Sequence, residues 1–117
     1  RKIVICDRFI DSTFAYQVYG KKVDSKLIKN VHKYILEGIK PDITFILKVN
    51  SSTAKKRLFK RKSNNRYDNF KESFYRKAQN SFLKIAKNKK NYHILESSRN
   101  TNHLEKKILN IVARSLN

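Results

Sequence analysis

Asp7 and Arg8 stand side by side directly after an apolar run, in the stretch VICDRFIDSTFAYQ (residues 4–17). Arginine offers a planar, permanently charged fork that matches phosphate. A neighbouring carboxylate can orient a metal-bound water or a donor group. Alone, such a dipeptide is as often a surface ion pair of little energetic worth. The residues that follow strengthen the case. Ser12, Thr13, Tyr16 and Gln17 fall at spacings that gather several of them at one helix start and along one helix face. Hydroxyl, phenol and carboxamide together suit a nucleobase and a sugar, with Arg8 at the phosphate end.

The surrounding sequence predicts elements able to hold such a site. Residues 2–6 are apolar and β-branched without alternation, the pattern of a strand buried on both faces of a parallel sheet. Residues 11–19 read as a helix with Asp11 or Ser12 as N-cap, ended by Gly20. Asp24 can cap a second helix, in which Leu27, Ile28, Val31 and Ile35 share a face and which Gly38 closes. Pro41 blocks continuation, and residues 42–49 (DITFILKV) form a second buried-strand pattern. Ser51 or Ser52 can cap a third, basic helix carrying Ala54 and Leu58. A long helix is predicted from about residue 68, with Phe70, Phe74, Ala78, Phe82, Ile85 and Ala86 on one stripe. Residues 92–96 (YHILE) form a third strand, and Asn102 with Glu105 has capping-box spacing before a helix faced by Leu104, Ile108, Ile111 and Val112.

Helices alternating with short buried strands predict an α/β fold: a parallel sheet with helices on both faces, joined by right-handed crossovers. Ligands of open α/β sheets bind beyond the carboxyl ends of the strands. Asp7 and Arg8 occupy such an end, which explains their place in the chain.

Composition sets the outer limits. The 117 residues suffice for one domain. No stretch approaches the roughly 18 consecutive apolar residues of a membrane span. No signal-peptide pattern opens the chain, since only four apolar residues separate Lys2 from Asp7. Cys6 is the sole cysteine, which excludes an internal disulfide and fits a cytosolic protein. A buried, inert thiol is the default for it. His32, His93 and His103 lack metal-ligand spacing among themselves or with Cys6. Lys and Arg outnumber Asp and Glu by 28 to 9, a net charge of +19, which invites a nucleic-acid reading. The accompanying asparagines, as in KRKSNNRYDN and AKNKKNYH, favour compositional drift instead, with anionic small ligands as the next explanation.

The stretch DRFIDSTFAYQ resembles the thymidylate kinase motif, a D-R-aromatic opening followed by S-[ST/N]-x-A-Y-[QS]. GIKPDITFILKV is similar to that family's G-x-x-P-D before an apolar strand. RLFKRKSNNRYDNF, with the helix after it, resembles the family's lid, here about residues 57–70. The three segments are colinear over nearly the whole chain. The resemblance implies a P-loop nucleoside monophosphate kinase-like fold and transfer of the γ-phosphoryl of ATP to dTMP, giving dTDP for dTTP synthesis, with Mg²⁺. It implies that Arg8 holds the acceptor phosphate and that Asp7 acts beside it, near the acceptor or, indirectly, the metal. By the same resemblance Ser12 belongs to the dTMP site, Thr13 faces the thymine edge, and Tyr16 packs under the sugar. Gln17 adds polar contacts. Arg57, Arg61 and Arg66 would clamp the ATP phosphates, with Arg61 and Arg66 the stronger catalytic candidates. A cytoplasmic homodimer, without membrane or nucleic-acid partners, is the family expectation.

One signature of the family is missing. G-x-x-x-x-G-K-[ST] does not occur, and Gly20 and Gly38 are the only glycines. The expectation is therefore the C-terminal part, residues 1–117, of a single kinase domain of about 200 residues, with the N-terminal strands missing. Alone it is expected to be inactive and poorly folded. Two alternatives stand beside this reading. Another P-loop nucleoside or nucleotide kinase would share the acid-arginine pair. A small basic nucleic-acid-binding module would explain the charge through phosphate contacts, but not the placement of Asp7, Tyr16 and Gln17.

Overall fold

The computed structural model describes residues 2–61, 71–99 and 101–116. Two compact units emerge: one of Arg1–Pro41 with Lys71–Lys87, the other of Asp42–Phe70 with Asn88–Asn117.

The first unit opens with residues 2–8, which join no strand. Helix α1 (Ile10–Thr13) runs into a π-helix (Phe14–Gly20), and α2 (Ser25–Leu36) and α4 (Glu72–Ala86) complete the unit. Asp24 caps α2 as its sequence indicated, its Oδ1 accepting from the amides of Lys26 at 2.6 Å and Leu27 at 3.2 Å. Glu37 and Gly38 then turn through positive φ values of 47° and 88°, ending the helix. The core lies where small residues let the π-helix and α4 approach. Ala15 is fully buried, and Ala78, Ser81 and Ala86 are nearly so.

The second unit holds β1 (Thr44–Lys48), α3 (Ser51–Phe59), β2 (Tyr92–Glu96) and α5 (Thr101–Leu116). The two strands pair in parallel, from Thr44 opposite Tyr92 to Lys48 opposite Glu96. Leu95 is its buried apolar centre. Ala54 and Leu58 of α3 are half-buried, as are Leu104, Ile108, Ile111 and Val112 of α5, the faces their periodicity predicts.

Several expectations are corrected. The predicted strand at residues 2–6 lies in no ladder, and Ile3, Val4 and Ile5 are 64%, 86% and 92% exposed. The sheet accordingly has two strands among the described residues. A strand exists only by exchanging backbone hydrogen bonds with a neighbour, and the β-branched run has none here. For the same reason Cys6 is exposed rather than buried. Neither Asp11 nor Ser12 caps the first helix: Phe9 takes that position without a side-chain bond, and Asp11 is buried inside α1. Asn50, not Ser51 or Ser52, caps α3, accepting from the Thr53 amide at 2.8 Å. Asn102 lies within α5, so the capping-box reading fails by register. Helix α4 begins at Glu72; Asp68 and Phe70 lie outside the described residues. Finally, α2 turns Ile28, His32 and Leu36 inward and leaves Leu27, Val31 and Ile35 exposed.

Candidate active site

Arg8 adopts a left-handed backbone with φ of 68°. This conformation costs a non-glycine residue about 1–2 kcal/mol and persists only where neighbours impose it. The Cys6 thiol donates to the Arg8 carbonyl at 3.5 Å, and the Ser12 amide donates to the Phe9 carbonyl at 3.0 Å. The turn so formed swings the arginine back over α1. Its Nε donates to Ser12 Oγ at 3.4 Å, and its guanidinium carbon lies 4.9 Å from the centre of the Tyr16 ring. Stacking of this kind contributes about 0.5–1 kcal/mol at an exposed site. The two terminal guanidinium nitrogens have no partner among the described residues, so the fork remains open to an anion.

The π-helix sets the rest of the site. Its hydrogen bonds span five residues, as from the Lys21 amide to the Tyr16 carbonyl at 3.0 Å. Such widened turns are rare and occur often at functional sites. Tyr16 points at α4, its ring 5.9 Å from Phe74 and 6.0 Å, edge-on, from Phe82. Phe74 also covers Gly20, where an added Cβ would meet its ring at 2.6 Å. Tyr16 is thus fixed from one side by α4 and faced on another by Arg8. Thr13 and Gln17 are half-buried, and their side chains, like the Asp7 carboxylate, make no hydrogen bond to another described residue.

The structure brings three of the sequence's candidates into contact. Arg8, Ser12 and Tyr16 touch, with Asp7, Thr13 and Gln17 on the same short segment of one unit. Phe74 and Phe82 of α4 pack on Tyr16, a neighbourhood the sequence reading did not assign to them. Their helical spacing signalled core, and nothing in it marks which ring a neighbouring helix will offer.

Of the lid candidates, Arg57 and Arg61 belong to the second unit. Arg57 donates through Nη2 to the Ser97 carbonyl at 2.7 Å, which ties α3 to the end of β2. Arg61 follows α3, its amide bonded to the Leu58 carbonyl at 3.1 Å. Arg66 lies outside the described residues. A polar knot closes the carboxyl ends of the two strands. The Asn50 amide donates to Ser98 Oγ at 2.9 Å, and Ser97 Oγ donates to the Lys48 carbonyl at 3.0 Å. Glu96 accepts from both the amide and hydroxyl of Ser98. That hydroxyl, then the amide, and the positive charge of Lys48 hold the Glu96 carboxyl below its ordinary pKa.

A family model described as thymidylate kinase matches residues 1–108. The chain belongs to the thymidylate kinase family. The thymidylate kinase of Wolbachia pipientis wMel is 48% identical over 85 residues, 73% of this chain and 41% of that protein. The thymidylate kinase of Mycoplasmoides gallisepticum is 30% identical over 111 residues, 95% of this chain and 53% of its own length. Among solved structures, the crystal structure of thymidylate kinase from Ehrlichia chaffeensis superposes with a TM-score of 0.68 at 30% identity, over 95% of this chain and 52% of the other. The fold is thus part of the α/β kinase architecture expected from the motifs. The chain spans about half the length of the curated relatives it matches. Among the described residues no helix is long and apolar enough to cross a membrane.

Proposed function

We propose that this chain supplies the acceptor side of an ATP-dependent kinase that phosphorylates dTMP to dTDP. The observation that carries the reading is Arg8: a left-handed residue whose guanidinium rests on Tyr16 and Ser12 with its terminal nitrogens open, within the stretch that matches the thymidylate kinase family. An acceptor phosphate would take the fork in bidentate fashion. Thr13 and Gln17 offer unpaired polar groups to the thymine edge and its surroundings, and Tyr16 an aromatic face to the deoxyribose. Asp7 lies beside the arginine as an unpaired carboxylate.

Phosphoryl transfer depends on positioning and charge neutralisation more than on covalent chemistry. Arg61 and Arg66 are the proposed clamp on the ATP phosphates, in a lid of about residues 57–70. Arg57, engaged at Ser97, anchors its base. Mg²⁺ would arrive with ATP and neutralise charge on the transferring group. Such an ion is held mainly by nucleotide phosphates and water with one or two carboxylates nearby. Asp7 fits that outer position. The whole enzyme would work in the cytoplasm, as a homodimer.

The test is phosphoryl transfer from ATP to dTMP by the whole enzyme carrying this acceptor segment. Turnover with dTMP but not with thymidine is expected, and Arg8→Ala should abolish it. Preference for thymidine would point to a nucleoside kinase, and full activity of Arg8→Ala would remove Arg8 from the site.

A further inference from the structure

We propose that Ser98, with the Glu96 carboxylate behind it, is a positioning residue for the ATP side of the reaction: it fixes α3 and thereby sets where Arg61 stands. The inference rests on the reading of Arg61 as a clamp on the ATP phosphates, and every contact it uses lies within the second unit.

Helix α3 is held at two points on one dipeptide, Ser97–Ser98, just beyond the carboxyl end of β2. The Asn50 amide donates to Ser98 Oγ at 2.9 Å, and Arg57 Nη2 donates to the Ser97 carbonyl at 2.7 Å. Asn50 and Arg57 stand about two helical turns apart, so they share a face. Helical side chains lean toward the amino end, which lets Arg57 reach back to the residue beside Ser98. Asn50 is the more direct link. Its amide is engaged at Ser98, while its Oδ1 accepts from the Thr53 amide at 2.8 Å and the Ser52 hydroxyl at 2.9 Å. One residue thus joins the first turn of α3 to Ser98.

Glu96 decides which way the Ser98 hydroxyl points. A serine hydroxyl carries one hydrogen and two lone pairs. Its hydrogen goes to Glu96 Oε1, which also accepts from the Ser98 amide at 2.9 Å, so a lone pair is left to accept from Asn50. A bond to a carboxylate is charge-assisted and stronger than a neutral one, and the lowered Glu96 pKa keeps that carboxylate ionised. The far end of α3 leads to Arg61, whose amide is bonded to the Leu58 carbonyl of the last turn at 3.1 Å. From Asn50 to Arg61 is about 16 Å along a helix. A tilt of about 5° at the anchored end therefore carries Arg61 by about 1.4 Å. A misplacement of about 1 Å in a reacting site can cost about 10²-fold in rate.

The test uses the whole enzyme that carries this segment. Ser98→Ala should lower kcat/KM for ATP about tenfold and leave KM for dTMP unchanged. Ser98→Thr, which keeps the hydroxyl, should restore it. Glu96→Ala should reproduce most of the loss, and the double variant should be no worse than Ser98→Ala, because Glu96 acts through Ser98. Additive losses overturn the proposal. So does a decline with both substrates that tracks a lowered melting temperature, the mark of a merely structural role. Arg61→Ala, measured in parallel, separates this inference from the reading beneath it. A costly Arg61→Ala with a silent Ser98→Ala overturns the positioning role alone. A silent Arg61→Ala removes the clamp, and this inference with it.

Discussion

The 117-residue chain by itself should not unfold as one cooperative unit. No large side chain is fully buried among the described residues, and the buried apolar core is Ala15, Ala78, Ala86 and Leu95. In the first unit Ile3, Val4, Ile5, Leu27, Val31, Tyr34, Ile35 and Ile39 are between 42% and 92% exposed. Their exposed fractions together equal between five and six whole side chains. Full burial of such a side chain contributes about 1.5–3 kcal/mol, so roughly 10 kcal/mol of hydrophobic stabilisation is left unrealised. That is as large as the whole net stability of an ordinary domain, about 5–15 kcal/mol. The expected result in calorimetry is a broad, low-enthalpy melt, with strong binding of a hydrophobic dye at room temperature. A single sharp transition, with an enthalpy near the roughly 0.7 kcal/mol per residue of globular proteins and no dye binding, would refute the reasoning. It would mean that the exposed stripe is tolerated by a core far stronger than its contents suggest.

Three further outcomes are expected. Gly20→Ala, measured as the urea midpoint of the whole enzyme, should destabilise by about 1 kcal/mol. Displacing Phe74 costs about 1–3 kcal/mol, partly offset by the better helix propensity of alanine, and adding Phe74→Leu should recover most of the loss. An unchanged midpoint in Gly20→Ala would show that Phe74 moves freely. In the whole enzyme, Tyr16→Ala should shift discrimination between deoxyribose and ribose acceptors about tenfold, or about 1.4 kcal/mol, read as the ratio of kcat/KM values; an unmoved ratio would detach Tyr16 from the sugar. The Glu96 pKa is lowered in the folded chain, so its bonds to Ser98 stabilise the strand ends above the ordinary carboxylate pKa. They are lost as pH falls through the folded value. The protection of the Ser97 and Ser98 amides, relative to their intrinsic exchange rates, should therefore fall as pH drops below the ordinary carboxylate range, and Glu96→Gln should remove that dependence; an acid response that survives the substitution would assign it elsewhere.

Much of this was legible in the sequence. Asp24 as a cap, the strand at Tyr92–Glu96 and the apolar face of α5 follow from patterns completed within a few residues. Membership in the family was legible too, because DRFIDSTFAYQ keeps the order and spacing of the family's motif. Tertiary structure alone decided the rest. Whether residues 2–6 form a strand depends on a neighbour, and a buried-strand pattern cannot say whether that neighbour is present. The left-handed turn at Arg8 and the widened helix after it are conformations no propensity favours, imposed by contacts with Ser12, Tyr16 and α4. Phe74 reaches Tyr16 only because α4 packs its ring between Gly20 and Tyr16. The residue types and their order were written along the chain; the placement of the Arg8 guanidinium over Tyr16 and Ser12, and of Tyr16 against Phe74, exists only once the segments that carry them have folded together.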